Sequence, residues 1–268
     1  MSVVTEKLRA RSPWRIFVSV IKALFLREMG MRMSTGRSGL FWTFAEPFFQ
    51  VAVFIGIRIA IVGHSGKTTP YDFAVFMASG FIAFNLFKNI LNSSTGAFLA
   101  NKGLFVYKQV KPIDTIFSRA LVELFLTAMI VLIFLIVGLY ARRQIVPEDF
   151  LLVVAGYLWL AFFAVGLGVL VATANTFYMS VGKVVSISSF LLMIFSAVFF
   201  PIESLPPVAQ EILLYNPVVH FMEMIHAAYL PHLSNRFVDY GYMLEWTLVP
   251  WAVGLWYYVR LERKIISA

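Results

Sequence analysis

Only a few residues in this 268-residue chain have types and spacings that raise a question of chemistry. GHSGKTT at residues 63–69 resembles a phosphate-binding loop. That loop needs a glycine, four residues, then Gly-Lys-Ser/Thr, so that backbone N–H groups cradle phosphate. Counting back from Gly66 and Lys67, the first glycine position holds Ile61, and Pro70 stands where a helix should begin. The segment reads as a turn. The histidines are His64, His220, His226 and His232. His220 and His226 are six apart and fall on different helix faces, and neither HExxH nor a similar metal spacing occurs. There is no G-x-S-x-G elbow. Glu46 and Glu123 are the one carboxylate pair that a membrane-embedded enzyme acting on lipid-linked sugars would use. Nothing argues for catalysis, a metal centre or a nucleotide site belonging to this chain.

The composition explains that poverty. The chain is 60% hydrophobic and 13% charged, with mean hydropathy +0.81, where a soluble domain carries about 25% charge. It is read as an all-α integral membrane protein. Cysteine is absent, which excludes disulfides and thiolate metal sites. A net charge of +8 suggests nucleic acid in a soluble protein; in a membrane protein it asks which side the cations occupy. Crossing a bilayer takes about 20 apolar residues. Six spans are expected, near 39–62, 73–95, 116–140, 150–176, 184–200 and 242–260. Residues 1–38 form an arm, too long and too charged for a cleavable signal, ahead of a six-span domain at 39–268. No internal repeat is apparent, which argues against a secondary transporter.

Sixteen of the 22 Lys and Arg fall on the side of the termini and of the loop between spans two and three. Four fall opposite: Lys67, Arg142, Arg143 and Arg236. The positive-inside rule then puts both termini in the cytosol. Within the arm, Trp14, Phe17, Val18, Ile21, Leu24 and Phe25 recur at helical spacing among Arg15, Lys22 and Arg27. They predict an amphipathic helix lying in the cytosolic interface, or an arm packing on a partner.

Glu46, Arg58, Lys88 and Glu123 lie within spans, where each costs roughly 2.5–3.5 kcal/mol unless it meets a partner or a cavity. Asn85, Lys88, Asn89 and Asn92 share one face of the second span. Glu46, Lys88 and Glu123 each sit about 10 Å from the cytosolic end of their spans. Lys88 is expected to pair with Glu46, Glu123 or both, or else to snorkel alone. Trp42, Phe84 and Trp159 are aromatic candidates for lining a passage or for packing. Pro201 to Gly241 holds apolar pieces too short to span; Asn216-Pro217 reads as an N-cap and first helical residue. A re-entrant helical hairpin at about 205–231 is expected before the last span, or else a hairpin resting on the outer surface. Tyr215, His220, Glu223 and His226 are expected to edge a water-filled periplasmic exit.

These pieces together resemble the membrane subunit of an ABC exporter, and specifically the capsular polysaccharide branch of KpsM type. The resemblance rests on LREMGMRMSTGRSGLFWTFAEP at 26–47, NKGLFVYKQVKPIDTIFSRALVE at 101–123, FPIESLP at 200–206 and NPVVHFMEMIHAAYLP at 216–231. His226 stands where the family pattern suggests arginine. The resemblance implies that residues 101–113 form a coupling helix docking on a separate ATPase subunit. Phe105 and Tyr107 would be its anchors, with Asn101, Lys102, Gly103, Leu104, Lys108 and Lys111 around them. It implies two copies of the chain, two ATPase subunits holding ATP and Mg, and no cofactor on this chain. Periplasmic and outer-membrane export components and a lipid-linked acidic polysaccharide complete the expectation, in the bacterial inner membrane. Its substrate path would be lined by Trp42, Glu46, Arg58, Phe84, Asn85, Lys88, Asn92 and Ser189. Another glycan, of O-antigen or teichoic-acid type, is the alternative cargo.

Overall fold

A computed structural model describes residues 12–34, 37–62, 71–142, 145–230 and 232–267. The GHSGKTT segment, with His64 and Lys67, lies outside them. The described residues form helices and turns with no strand. In chain order they are α1 (Pro13–Ser34), α2 (Arg37–Val62), α3 (Phe73–Thr95), the single turn α4 (Ala97–Ala100), α5 (Pro112–Tyr140), α6 (Phe150–Phe177), α7 (Ser180–Ile194), α8 (Pro207–Leu214), α9 (Pro217–Tyr229) and α10 (Tyr240–Ser267). Four are long and apolar enough to cross a membrane: Phe41–Ala60 within α2, then α3, α5 and α6.

Helix starts follow local chemistry. Asp72 and Asp149 cap α3 and α6 by accepting from the N–H groups of Ala74 and Leu152, both at 2.9 Å. Pro112 opens α5, four residues before the expected start, and Asp114 reaches back to the Lys111 N–H at 2.9 Å. The string KPID is therefore a helix start. Asn216 caps α9 as its spacing predicts, accepting from the Val218 N–H at 3.0 Å.

α3 is buried along most of its length and is the axis of the bundle; α5, α6, α7, α9 and α2 pack around it. α10 lies along α6, where Gly254 allows a close crossing: a Cβ there would stand 3.1 Å from the Leu170 nitrogen and 3.2 Å from the Gly166 oxygen. The indole N–H of Trp251 donates to the Phe162 carbonyl, and that of Trp159 to Thr247, each at 2.9 Å.

Two expectations are corrected. The fifth apolar run is helical only to Ile194; residues 195–200 form turns and bends, and Ala197 has φ of 56°. The predicted coupling helix is a 3-10 turn at Lys102–Leu104 followed by turns, because Gly103 and Pro112 leave too little helix-forming sequence between them. α1 extends beyond the expected amphipathic run. Trp14, Phe17 and Val18 are exposed, whereas Leu24 is buried and Phe25 meets Phe125 edge-on at 6.1 Å. The helix packs on α5 and α2 as part of the bundle. Because backbone atoms on α6 cannot retreat, Gly254→Leu is expected to cost about 1–3 kcal/mol, read as a lower melting temperature in detergent, with Gly254→Ala in between.

Candidate functional site

Several of the polar residues expected within the spans converge where α1, α2, α3 and α5 meet. They line a cavity of about 290 Å³. α3 supplies Asn85, Asn89 and Asn92, spaced to share one face, while α2 adds Thr43 and Glu46. α1 supplies Arg32, and α5 contributes Glu123 and Thr127. Apolar Ile82, Leu126 and Ile130 also line it.

The charges are sorted into pairs. The Lys88 ammonium lies 3.4 Å from the Glu46 carboxylate. The Gln50 amide donates to Glu46 at 3.2 Å and accepts from the Asn85 amide at 2.8 Å, which extends the pair into a chain of contacts. Glu123 does not meet Lys88; its carboxylate takes the Arg32 guanidinium. Nearby, Arg119 of α5 stands 3.4 Å from Glu28 of α1 and donates to the Ser93 carbonyl. Arg27 donates to the Asn101 side-chain oxygen, while the Asn101 amide donates to the Ala97 carbonyl at 2.7 Å. α1 is thus tied to α5 and to the loop after α4 by charged side chains, and Arg119 ties α5 in turn to α3.

Sequence reading missed Gln50 and Arg32 as partners. Gln50 was findable, since it follows Glu46 by one helical turn. Arg32 lies in the N-terminal arm of the sequence, and nothing local points it at a residue 91 positions away.

Of the expected path residues, the fold gathers Glu46, Asn85, Lys88 and Asn92, with Trp42 exposed one turn before Glu46. Arg58 sits apart, its guanidinium 4.2 Å from the Phe73 ring centroid. Phe84 is wholly enclosed in the core and Ser189 is buried, bonding the Val185 carbonyl at 2.8 Å. Trp159 packs edge-on against Phe221.

The expected exit residues fall in two environments. Tyr215 is exposed, but His220, Glu223 and His226 are buried inside this chain. The Glu223 carboxylate accepts the Ile202 N–H at 3.1 Å. His220 Nδ1 accepts the Asp239 N–H at 3.1 Å, leaving Nε2 to donate to the Leu214 carbonyl at 2.9 Å. His226 stacks on Phe76 with centroids 4.0 Å apart. A Cβ at Gly80 would stand 2.9 Å from its Nε2, so the ring occupies space that a larger residue on α3 would need.

In the 101–113 loop, Phe105 is turned into the core at 6% exposure. The exposed apolar pair is Val106 at 82% and Tyr107 at 65%. Leu104 is half-buried and Asn101 is buried; Lys102, Gly103, Lys108 and Lys111 are exposed around them.

Magnitudes rank the two ion pairs. The Glu123 side chain is 6% exposed against 56% for Glu46. Arg32→Ala is therefore expected to cost roughly 3 kcal/mol, restored in large part by Glu123→Gln. Lys88→Ala should cost about 1 kcal/mol or less. Thermal unfolding of purified variants checks the order.

Residues 19–230 match the profile of the ABC-2 type transporter family. The polysialic acid transport protein KpsM of Escherichia coli is 32% identical over 260 residues, covering 97% of this chain and 100% of that protein. The capsule polysaccharide export inner-membrane protein CtrC of Neisseria meningitidis serogroup A is 30% identical, covering 92% of each chain. BexB of Haemophilus influenzae, described in the same words, is 28% identical, covering 88% of each. With a helical bundle, four membrane-length helices and a match running from α1 through α9, this chain belongs to the ABC-2 type transporter membrane family.

Proposed function

We propose that this chain is the membrane subunit of an ATP-driven exporter that carries lipid-linked acidic capsular polysaccharide across the bacterial inner membrane. The observation that carries the reading is the near full-length match to three proteins whose names state capsule or polysialic acid transport. Family members are transport subunits and the ATPase resides on a separate polypeptide. ATP and Mg bind there.

The four membrane-length helices, with α7 and α10, give six spans. α7 covers about 22 Å as helix and reaches further through residues 195–200. α10 is 28 residues long and lies along α6. α9, at about 20 Å, is too short to cross and is enclosed by α3 and α6, as a re-entrant element would be. The cation distribution orients both termini to the cytosol. Two copies work together, with periplasmic and outer-membrane components beyond them. Support for the second copy comes from α2 and α7, whose apolar faces this chain leaves exposed.

The ATPase grips Val106 and Tyr107, an apolar pair rimmed by Lys102, Lys108 and Lys111. An apolar anchor rimmed by charge is the anatomy of an interface centre. Lodging Phe105 in the core and tying Asn101 to Arg27 makes the loop stiff, so that a push on Tyr107 moves α1, α3 and α5 together. With the double variant Val106→Asp/Tyr107→Ala, ATPase recovered on co-purification is expected to fall at least tenfold at unchanged membrane levels, and export with it. Full export by that variant, or glycan movement by this chain alone, overturns the reading.

A further inference from the structure

We propose that the cavity among α1, α2, α3 and α5 is a binding subsite for one sugar ring of the transported glycan, and that it holds the ring by its hydroxyl groups and not by its acidic groups. The proposal rests on the export reading above and adds the place and chemistry of recognition.

The first observation is an unmet acceptor. Asn85 lines the cavity and is 7% exposed. Its amide nitrogen donates to Gln50, while its Oδ1 has no hydrogen-bond partner among the described residues. A buried amide oxygen without a donor is costly, and a turn of the Asn85 side chain at the cavity wall would bring it to one.

The second observation is charge. Arg32, which lines the cavity, faces Glu123, and the lining carboxylate Glu46 is held by Lys88 beside it. An incoming carboxylate or phosphate would have to displace one of those acids. A hydroxyl need displace nothing, since a paired carboxylate keeps lone pairs to accept O–H. Asn89 and Asn92 offer donor and acceptor together, as vicinal hydroxyls require.

The third is size. About 290 Å³ lies at the lower edge of small-molecule sites. It exceeds by far the ~30 Å³ that one bridging water occupies.

The chain contains no cysteine, so a single introduced thiol reports on the cavity. Leu126→Cys lines it, and Tyr140→Cys, 92% exposed at the far end of α5, is the control. Reaction with a small thiosulfonate is compared in membranes from host cells that make the lipid-linked glycan and from cells whose glycan synthesis is disabled. The glycan is expected to slow labelling of Leu126→Cys at least tenfold and to leave Tyr140→Cys unchanged. Adding Asn85→Leu should abolish that protection, while Asn85→Asp, which keeps an acceptor oxygen, should retain part of it at equal membrane level. Equal labelling with and without glycan, in a chain that still exports, means the cavity holds water or host lipid only and overturns this subsite alone. A chain that exports no glycan overturns the export reading together with it.

Discussion

A backbone buried away from water must find its hydrogen-bond partners inside the chain, and that constraint organises the second half of this molecule. Helices meet it locally. Where helix stops, between α7 and α9 and again before α10, the freed N–H and C=O groups need side-chain partners. α9 supplies them. The amide of Asn216 donates to the Phe195 carbonyl at 3.0 Å and to the Ser196 hydroxyl at 2.9 Å. Its oxygen meanwhile caps its own helix. Glu223 takes the Ile202 N–H, and His220 joins the Asp239 N–H to the Leu214 carbonyl. Polar residues that look functional in an apolar segment are here the stitching of a broken backbone.

The same logic separates the two halves of the polar inventory. Asn216 at the start of α9, and His220 and Glu223 within it, bond the chain's own main chain, while His226 stacks on Phe76. The α3 face of Asn85, Asn89 and Asn92 has the core behind it and a cavity in front. Buried charge is tolerated at that cavity because each cation has an acid within reach, and a network of pairs lets a polar surface persist where single charges would not.

Much of this was legible beforehand, for physical reasons. The starts of α3, α6 and α9 are written in residues adjacent to them, and a run of 20 apolar residues has few alternatives to a span. Depth counting offered Lys88 both Glu46 and Glu123, and the fold pairs it with Glu46. What could not be read depended on distant partners. Hydropathy is the same for SAVFF whether helical or turned, so the end of α7 at Ile194 is decided by Asn216, some 20 residues later. That Phe105 turns in while Tyr107 turns out depends on the floor provided by the bundle, which a loop sequence does not contain. Glu123 was recognised as in need of a partner, but Arg32 was hidden in a segment read as outside the bundle.

The bond between Arg32 and Glu123 has a consequence for how the chain is made. Ribosomes deliver the N-terminal end first, so Arg32 has been synthesised before Glu123 follows 91 residues later. In that order the guanidinium precedes the carboxylate it neutralises. Moving α1 to the other end of the polypeptide, with every final contact preserved, would oblige that acid to enter the bilayer alone.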